Sequence, residues 1–358
     1  MIDMNPSASF WNGRRVLLTG HTGFKGAWLS IWLTSLGAKV YGYSNGVPTD
    51  KSLFQDAGLS EILNDGRGDI RDYEGVQSAV QLADPDIVMH LAAQPLVLLS
   101  YNQPIMTYAT NVMGTAHVLE AARTHHNGIP VLIVTTDKCY ENREWLWGYR
   151  ETEAMGGHDP YSSSKGCAEL VTSAYGRSYA NENSGFRTVT ARAGNVIGGA
   201  DWAADRLIPD LVRGFLSGTP VGIRKPESIR PWQHVLEPLS GYLTLSERLL
   251  QKGDVATQGW NFGPASNAEV PVKDVANRVC NLLSEPASWY FSGDPSDQHE
   301  AQTLRLDSTK SRTLLGWRPR WTLDEALRAT IEVYQSNFTG EKLRDLIKKQ
   351  ISDYANHP

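Results

Sequence analysis

Val16-Leu17-Leu18-Thr19-Gly20-His21-Thr22-Gly23-Phe24-Lys25-Gly26, followed by the apolar run from Ala27 to Leu36, decides how this chain folds. Val16 to Thr19 reads as a short buried strand, and the run after Gly26 reads as a helix that Gly37 ends. Between them lies a G-x-x-G-x-x-G turn. Glycines let the backbone come close to a ligand, and the helix that follows points unpaired N–H groups at whatever negative charge sits there. A second strand, Ala38 to Tyr43, comes next. Strand, glycine turn, helix and strand together are the context a dinucleotide-binding turn requires. Gly20, His21, Thr22, Gly23, Phe24, Lys25 and Gly26 are therefore the first cofactor-binding candidates. The second strand ends in Tyr43-Ser44-Asn45, where a carboxylate would normally take the adenine-side ribose, so the usual argument for NAD over NADP is missing.

Working outward, Gly68-Asp69-Ile70 marks another strand end, where an Asp side chain and the next backbone group meet an adenine or else cap a helix. Asp86 to Leu91 is a fourth strand, and Leu91, Ala92, Ala93 and Gln94 turn away from it at the edge where open α/β sheets bind ligands. A helix is expected from Pro104 to His125, with strands at Val131 to Thr135 and Thr188 to Ala193. This alternation predicts an α/β fold with a doubly wound parallel sheet, the Rossmann arrangement. Thr135-Thr136-Asp137-Lys138 follows a central strand and places polar groups over the cofactor site. The loop Glu141 to Asp159, with Trp145 and Trp147, reads equally as a lid or as packing.

Asp159-Pro160 opens a helix that carries Tyr161 and Lys165, which share one face at i, i+4. A cation beside Tyr161 favours phenolate over phenol, and so offers a base near neutral pH. Beyond residue 200 the rhythm changes to helices (Arg206 to Leu216, Pro238 to Leu250, Val270 to Leu283, Leu323 to Tyr334) between short strands and Pro-rich turns. A smaller, mixed α/β lobe is expected there, giving residues 1–195 mainly to dinucleotide binding and 196–358 mainly to substrate, with an interleaved boundary. Thr322-x-x-Glu325 reads as a capping box, and the last helix, Gly340 to Tyr354, as charged and peripheral. Gln94, Asn195, Arg206, Leu207, Arg230 and His234 are the substrate-side candidates, with Arg230-Pro231-Trp232-Gln233-His234-Val235 suited to clamp a diphosphate.

The net charge of −5, with both signs interspersed over 358 residues, argues against a nucleic-acid surface. Three scattered cysteines suggest neither a disulfide framework nor a metal site. The first residues lack a basic, then apolar, leader, and no apolar run is long enough to span a membrane, so a cytoplasmic protein is expected.

Taken together these motifs resemble the extended short-chain dehydrogenase/reductase superfamily. The marks of resemblance are the Gly20/Gly23/Gly26 turn, Asp69-Ile70, Leu91-Ala92-Ala93, Asn111-Val112-x-Gly114-Thr115, Tyr161/Lys165, Arg192-x-Gly194-Asn195 and Arg230-x-Trp232-x-x-Val235. Thr136-Asp137 is similar to the nucleotide-sugar 4,6-dehydratases, in which Thr-Asp-Glu is usual; Lys138 stands here at the Glu position. The resemblance implies NAD as cofactor and CDP-D-glucose as substrate, in a branch leading to 3,6-dideoxyhexoses of bacterial O-antigen lipopolysaccharide. It also implies a homodimer paired through a four-helix interface. The implied roles are Tyr161 as base at O4 assisted by Thr136, Lys165 as its support, Asp137 as acid at O6 and Lys138 as base at C5. A nucleotide-sugar 4-epimerase, or a dehydratase of another nucleotide sugar, is the alternative.

Overall fold

The computed structural model describes residues 6–180, 184–251, 254–265, 268–283, 287–293 and 301–357. Its centre is a seven-stranded, all-parallel sheet. In chain order the first six strands are β1 (Arg15–Thr19), β2 (Lys39–Ser44), β3 (Asn64–Arg67), β4 (Ile87–His90), β5 (Pro130–Val134) and β6 (Arg187–Ala193). Across the sheet the order is Gln258–Phe262, β6, β5, β4, β1, β2, β3. The direction of winding reverses between β1 and β4, so the carboxyl ends of these two strands border the crevice where such sheets take ligands. Strands β4 and β5 are buried along their whole length, as a sheet covered on both faces requires.

The strand Gln258–Phe262, not anticipated from the sequence, extends the sheet by pairing with β6 from far down the chain. The helix Leu236–Leu250 has 12 buried residues and carries Leu239, Tyr242 and Leu243 into the same apolar cluster as β1 and β6. A separate cluster, which includes Ile208, Leu211, Trp232, Val275, Leu327 and Ile331, gathers the helices Leu207–Ser217, Val272–Leu283 and Leu323–Gln335. The capping box forms as expected: the Thr322 hydroxyl accepts from the Glu325 N–H, and the Glu325 carboxylate accepts from the Thr322 N–H.

One expectation is corrected, and two others gain detail. The helix Gly340–Ala355 is not peripheral: Leu343, Ile347, Ile351 and Tyr354 recur at near-helical spacing, are buried, and belong to the main core. Its charges cover only the outer face. The helix expected from Pro104 to His125 runs without a gap from Pro104 to Thr124, with one π-turn, at Ala109–Met113, between Pro104–Tyr108 and Gly114–Thr124. Asn111 lies in that π-turn and is fully buried, a typical use of a π-bulge at a functional position. Of the two readings left open for the aromatic loop, packing is the one its contacts fit. Trp145 stacks on Tyr149 and Tyr149 on Tyr140, and none of these residues lines the cleft.

Candidate active site

A cavity of about 1150 Å³ runs along the carboxyl edge of the sheet. Its floor at one end is the glycine turn. Gly20 has φ of +75°, and a Cβ there would lie 2.6 Å from the Ala92 nitrogen; at Gly26 a Cβ would come within 2.1 Å of the Gly20 oxygen. These two clashes explain why the turn demands glycine at its ends. The helix Phe24–Ser35 starts at Gly23 with no side-chain cap, and Gly23, Phe24, Lys25 and Gly26 all line the cavity. Its unsatisfied N–H groups fit a diphosphate. Thr22, Ser44, Asn45, Asp69, Ile70, Leu91, Ala92 and Ala93 complete that wall, together with residues 46–49, 52 and 53, which the sequence did not single out. Asp69 is held by Arg71 through a bidentate contact, which keeps its carboxyl below the usual range. The Thr19 hydroxyl supports the opposite wall, lying 2.7 Å from His90 Nδ1 and accepting from the Ala92 N–H.

His21 departs from its expected role. Its ring is fully buried, 2.8 Å from the Asp65 carboxylate and 2.9 Å from the Ser44 hydroxyl, and does not line the cavity. The side chain braces the turn against β2 and β3 from behind.

At the other end the reacting groups converge. β5 delivers Thr135 and Thr136, and a single 3-10 turn, Asp137–Cys139, follows with the Thr136 hydroxyl as its cap. Thr136 Oγ1 donates to Asp137 Oδ1 at 2.9 Å, while the buried Asp137 Oδ2 has no partner among the described residues. Burial pushes the Asp137 carboxyl above its ordinary range, toward the neutral acid. Tyr161 lies within hydrogen-bonding reach of Thr136. The helix Pro160–Tyr179 that carries Tyr161 is started by Asp159, whose carboxylate accepts from the Ser162 N–H and hydroxyl. Asn111 ties this helix to the β4 turn, donating to Ser164 Oγ and to the Gln94 carbonyl while accepting from the Gln94 N–H.

Tyr161 and Lys165 meet in this cleft, but not as a preformed phenolate–ammonium pair. Burial pushes the Tyr161 phenol up to about 12 and the Lys165 ammonium down to about 8. Lys165 Nζ instead donates to the Val134 carbonyl at 3.2 Å. Lys25 shares this surrounding, with burial lowering it to about 7.

On the substrate side, Gln94, Lys138, Asn195, Arg206, Leu207 and Arg230 all line the cavity. Arg206 is held by Asp201 at 2.6 Å, a partner the sequence did not point out. Arg230 donates to the carbonyls of Ile229, Ala301 and Gln302, so it anchors the chain as well as facing the cleft. His234 is corrected: it is fully buried between Trp28 and Trp321, accepts from the Leu236 N–H through Nδ1, and lies outside the cavity. A buried ion pair, Glu169–Arg192, sits beneath the Thr135–Cys139 segment and was also missed. Its sequence signals are the Arg192-x-Gly194-Asn195 mark and the i, i+4 step from Lys165 to Glu169.

A doubly wound sheet whose crevice joins an uncapped glycine turn to a Tyr/Lys helix and a Thr-Asp strand end defines an extended short-chain dehydrogenase/reductase. The family model described as GDP-mannose 4,6 dehydratase matches residues 17–330, and the chain belongs to that family. It is 51% identical over 360 residues to the CDP-glucose 4,6-dehydratase of Salmonella typhimurium, covering 99% of both chains. Among solved structures it resembles the epimerase Mth375 of Methanothermobacter thermautotrophicus (TM-score 0.83, 23% identity, 97% of this chain and 98% of that one). It also resembles the dTDP-glucose 4,6-dehydratase DesIV of Streptomyces venezuelae, solved with NAD bound (TM-score 0.77, 24% identity, 92% and 99%).

Proposed function

We propose that this chain is an NAD-dependent lyase that converts CDP-D-glucose to CDP-4-dehydro-6-deoxy-D-glucose. The observation that carries the reading is Asp137: a buried carboxyl, shifted toward its acid form and fixed by Thr136, in one cleft with Tyr161. Epimerisation at C4 needs no acid at O6, whereas dehydration does. The 51% identity to the Salmonella enzyme supports CDP-D-glucose as the substrate.

NAD is held by the Gly20–Gly26 turn, Thr22, Asp69, Ile70, the Leu91-Ala92-Ala93 turn and Lys165; when bound, it supplies the hydride acceptor at C4 and the donor at C6. Tyr161 takes the O4 proton, oriented by Thr136. The resulting ketone acidifies the C5 hydrogen, which Lys138 removes and later returns. Asp137 gives its proton to the C6 hydroxyl, which leaves as water. Glu141 is the less suitable base, since it lies outside the cavity and pairs with Arg143 at 3.2 Å. Arg206, Arg230 and Asn195 take the substrate diphosphate, with Gln94 and Leu207 at the sugar. On this reading residues 1–195 mainly bind the dinucleotide, and the cluster beyond residue 196 mainly binds the nucleotide sugar.

A cytoplasmic homodimer completes the proposal. Ile105, Met113 and Leu170 are 81%, 52% and 59% exposed, and lie on the two neighbouring helical segments that Tyr108–Ser163 and Asn111–Ser164 contacts join. Such an apolar face suits a four-helix interface with a second copy. No described helix is long and apolar enough to cross a membrane.

The test is incubation with CDP-glucose, dTDP-glucose and UDP-glucose, with and without added NAD+, followed by product analysis. A 4-ketosugar absorbing in alkali is expected from CDP-glucose; accumulation of the C4 epimer overturns the dehydratase reading.

A further inference from the structure

Asp84, His125 and His126 gather at the edge of the sheet opposite the cleft. Asp84 ends the helix Tyr73–Ala83 just before β4, in a left-handed conformation with φ of +39°, and His125 ends the helix Gly114–Thr124 just before β5. β4 and β5 are parallel neighbours, so the three residues lie beyond the amino ends of these strands, and none of them lines the cavity. One ligating atom from each residue lies within 4.8 Å of the other two. His125 Nε2 is 3.4 Å from Asp84 Oδ1, and the two imidazole rings are 4.1 Å apart, centre to centre. The His125 side chain is only 9% exposed, yet its Nδ1 has no partner among the described residues. No hydrogen bond among those residues holds any of the three side chains. Arg15, which donates to the Leu82 and Ala83 carbonyls, and Arg123, which pairs with Glu120, are engaged elsewhere.

We propose that Asp84, His125 and His126 bind a divalent transition-metal ion of the zinc class, which clips the ends of the two helices together. The spacing suits the ion. Two ligands at zinc–nitrogen and zinc–oxygen bond lengths from one tetrahedral centre lie about 3.4 Å apart, which is the separation of His125 Nε2 and Asp84 Oδ1. The exposed His126 side chain turns in to supply the third ligand, from no more than 4.8 Å. Imidazole nitrogens with a single carboxylate oxygen select Zn2+, Ni2+ or Cu2+, whereas Ca2+ and Mg2+ demand oxygen ligands. Water takes the remaining position. The cysteine count bears on thiolate sites and leaves this donor set open. The helices Tyr73–Ala83 and Gly114–Thr124 already share an apolar cluster through Val76, Val80, Val118 and Leu119, and the ion ties their carboxyl ends. Asp84 comes from a segment well before the two histidines, so the unfolded chain does not present the full set, and binding adds to the stability of the fold. Turnover is unaffected, because the site lies across the sheet from Tyr161.

The probe is ZnCl2 alone, titrated into the untagged full chain in competition with a chromogenic chelator, at a pH of about 7.5 where imidazole is neutral. One ion per chain is expected. With free Zn2+ at about a hundred times the measured dissociation constant, the thermal midpoint should rise by about 3–4 °C. Asp84→Asn and His126→Gln each weaken binding by at least about tenfold, the loss that even an outer-shell partner of a metal brings. Both positions are exposed, and Asn accepts the left-handed conformation at 84, so these variants keep the native midpoint without metal and lose the metal-dependent rise. Cu2+ bound in the native protein should show coupling to two imidazole nitrogens in its electron paramagnetic resonance, and to one in His126→Gln. No uptake by the native protein at micromolar free Zn2+ overturns the proposal. So does uptake that both variants leave unchanged, which would be an adventitious ion only, or a rise in midpoint that Mg2+ produces equally. Binding that leaves the native midpoint unmoved overturns the clip.

Discussion

Breaking the Glu169–Arg192 pair should cost more stability than any other single exchange of a polar side chain near the cleft. The two side chains are 5% and 4% exposed and meet through two parallel contacts, Nη2 to Oε2 at 2.7 Å and Nε to Oε1 at 2.9 Å. Thr190 and Thr135 donate to the carboxylate, and Arg192 donates to the Tyr140 hydroxyl, which in turn donates to Asn261. Glu169→Leu leaves a guanidinium buried without its counter-charge, at a cost of about 3–5 kcal/mol, and Arg192→Met strands the carboxylate at a similar cost. The double variant removes both charges and loses mainly the acceptor for two threonine hydroxyls, about 2–3 kcal/mol in all. Guanidinium unfolding of the four proteins therefore gives a coupling of about 3 kcal/mol or more, the double variant being more stable than either single one. Additive costs, or a Glu169→Leu loss below about 1 kcal/mol, refute the reasoning. The pH dependence has a defined sign. Burial alone would raise the Glu169 carboxyl, but the charge and hydrogen bonds of Arg192 and the threonines lower it on balance. Its stabilisation is thus complete at neutral pH and is lost as pH falls below about 4.3, through the lower folded value.

Four further outcomes test the site. Tyr161→Phe should lower turnover of CDP-glucose by about 10²–10⁴ while nucleotide binding persists; normal turnover would remove the O4 base. Asp137→Asn should still exchange the C5 hydrogen with solvent but eliminate water at least about 10²-fold more slowly, so normal elimination would end the general-acid role. Lys138→Met should abolish C5 exchange while C4 oxidation survives a single turnover; exchange at the native rate assigns the base elsewhere. Burial raises Glu237 to about 7, so its contribution to stability is full below about 4.3 and disappears as pH rises through about 7. The stability of the native protein relative to Glu237→Gln should fall across that window, and a flat difference in thermal unfolding would show Glu237 to be already ionised in the fold.

Most of what was legible in the sequence is local in the chain. The strand–glycine–helix at Val16 to Leu36, the capping box at Thr322 and the Tyr161/Lys165 step each depend on spacings of a few residues, and each appears where those spacings place it. What escaped depends on contacts between distant segments. His234 carries a polar side chain in a motif that suits a clamp, yet Trp28 and Trp321, far away in sequence, enclose it. The π-turn at Asn111 is set by its bonds to Gln94 and Ser164, not by any helix-breaking residue. The helix at the end of the chain looked peripheral because its charges outnumber its apolar residues, although four of these fall on one stripe.

Four titrating groups of the cleft share one bias that no spacing encodes. Burial pushes Tyr161 up, Asp137 up, Lys165 down and Lys25 down, in every case toward the uncharged form. In water the Tyr161/Lys165 step would suffice to argue for a phenolate. In this cleft the cost of charging a buried group exceeds that benefit, and Lys165 turns to the Val134 carbonyl instead. The same low polarity suits Asp137, whose role needs a proton at neutral pH. It follows that burial alone moves Asp137 toward its acid form, whereas the base must be made by charge that ligands bring. Measured by titration, Asp137 should lie above the ordinary carboxylate range with or without ligands, while Tyr161 should move downward only when NAD+ and nucleotide sugar are both bound; a Tyr161 that ionises near neutral pH in the free protein would contradict this division.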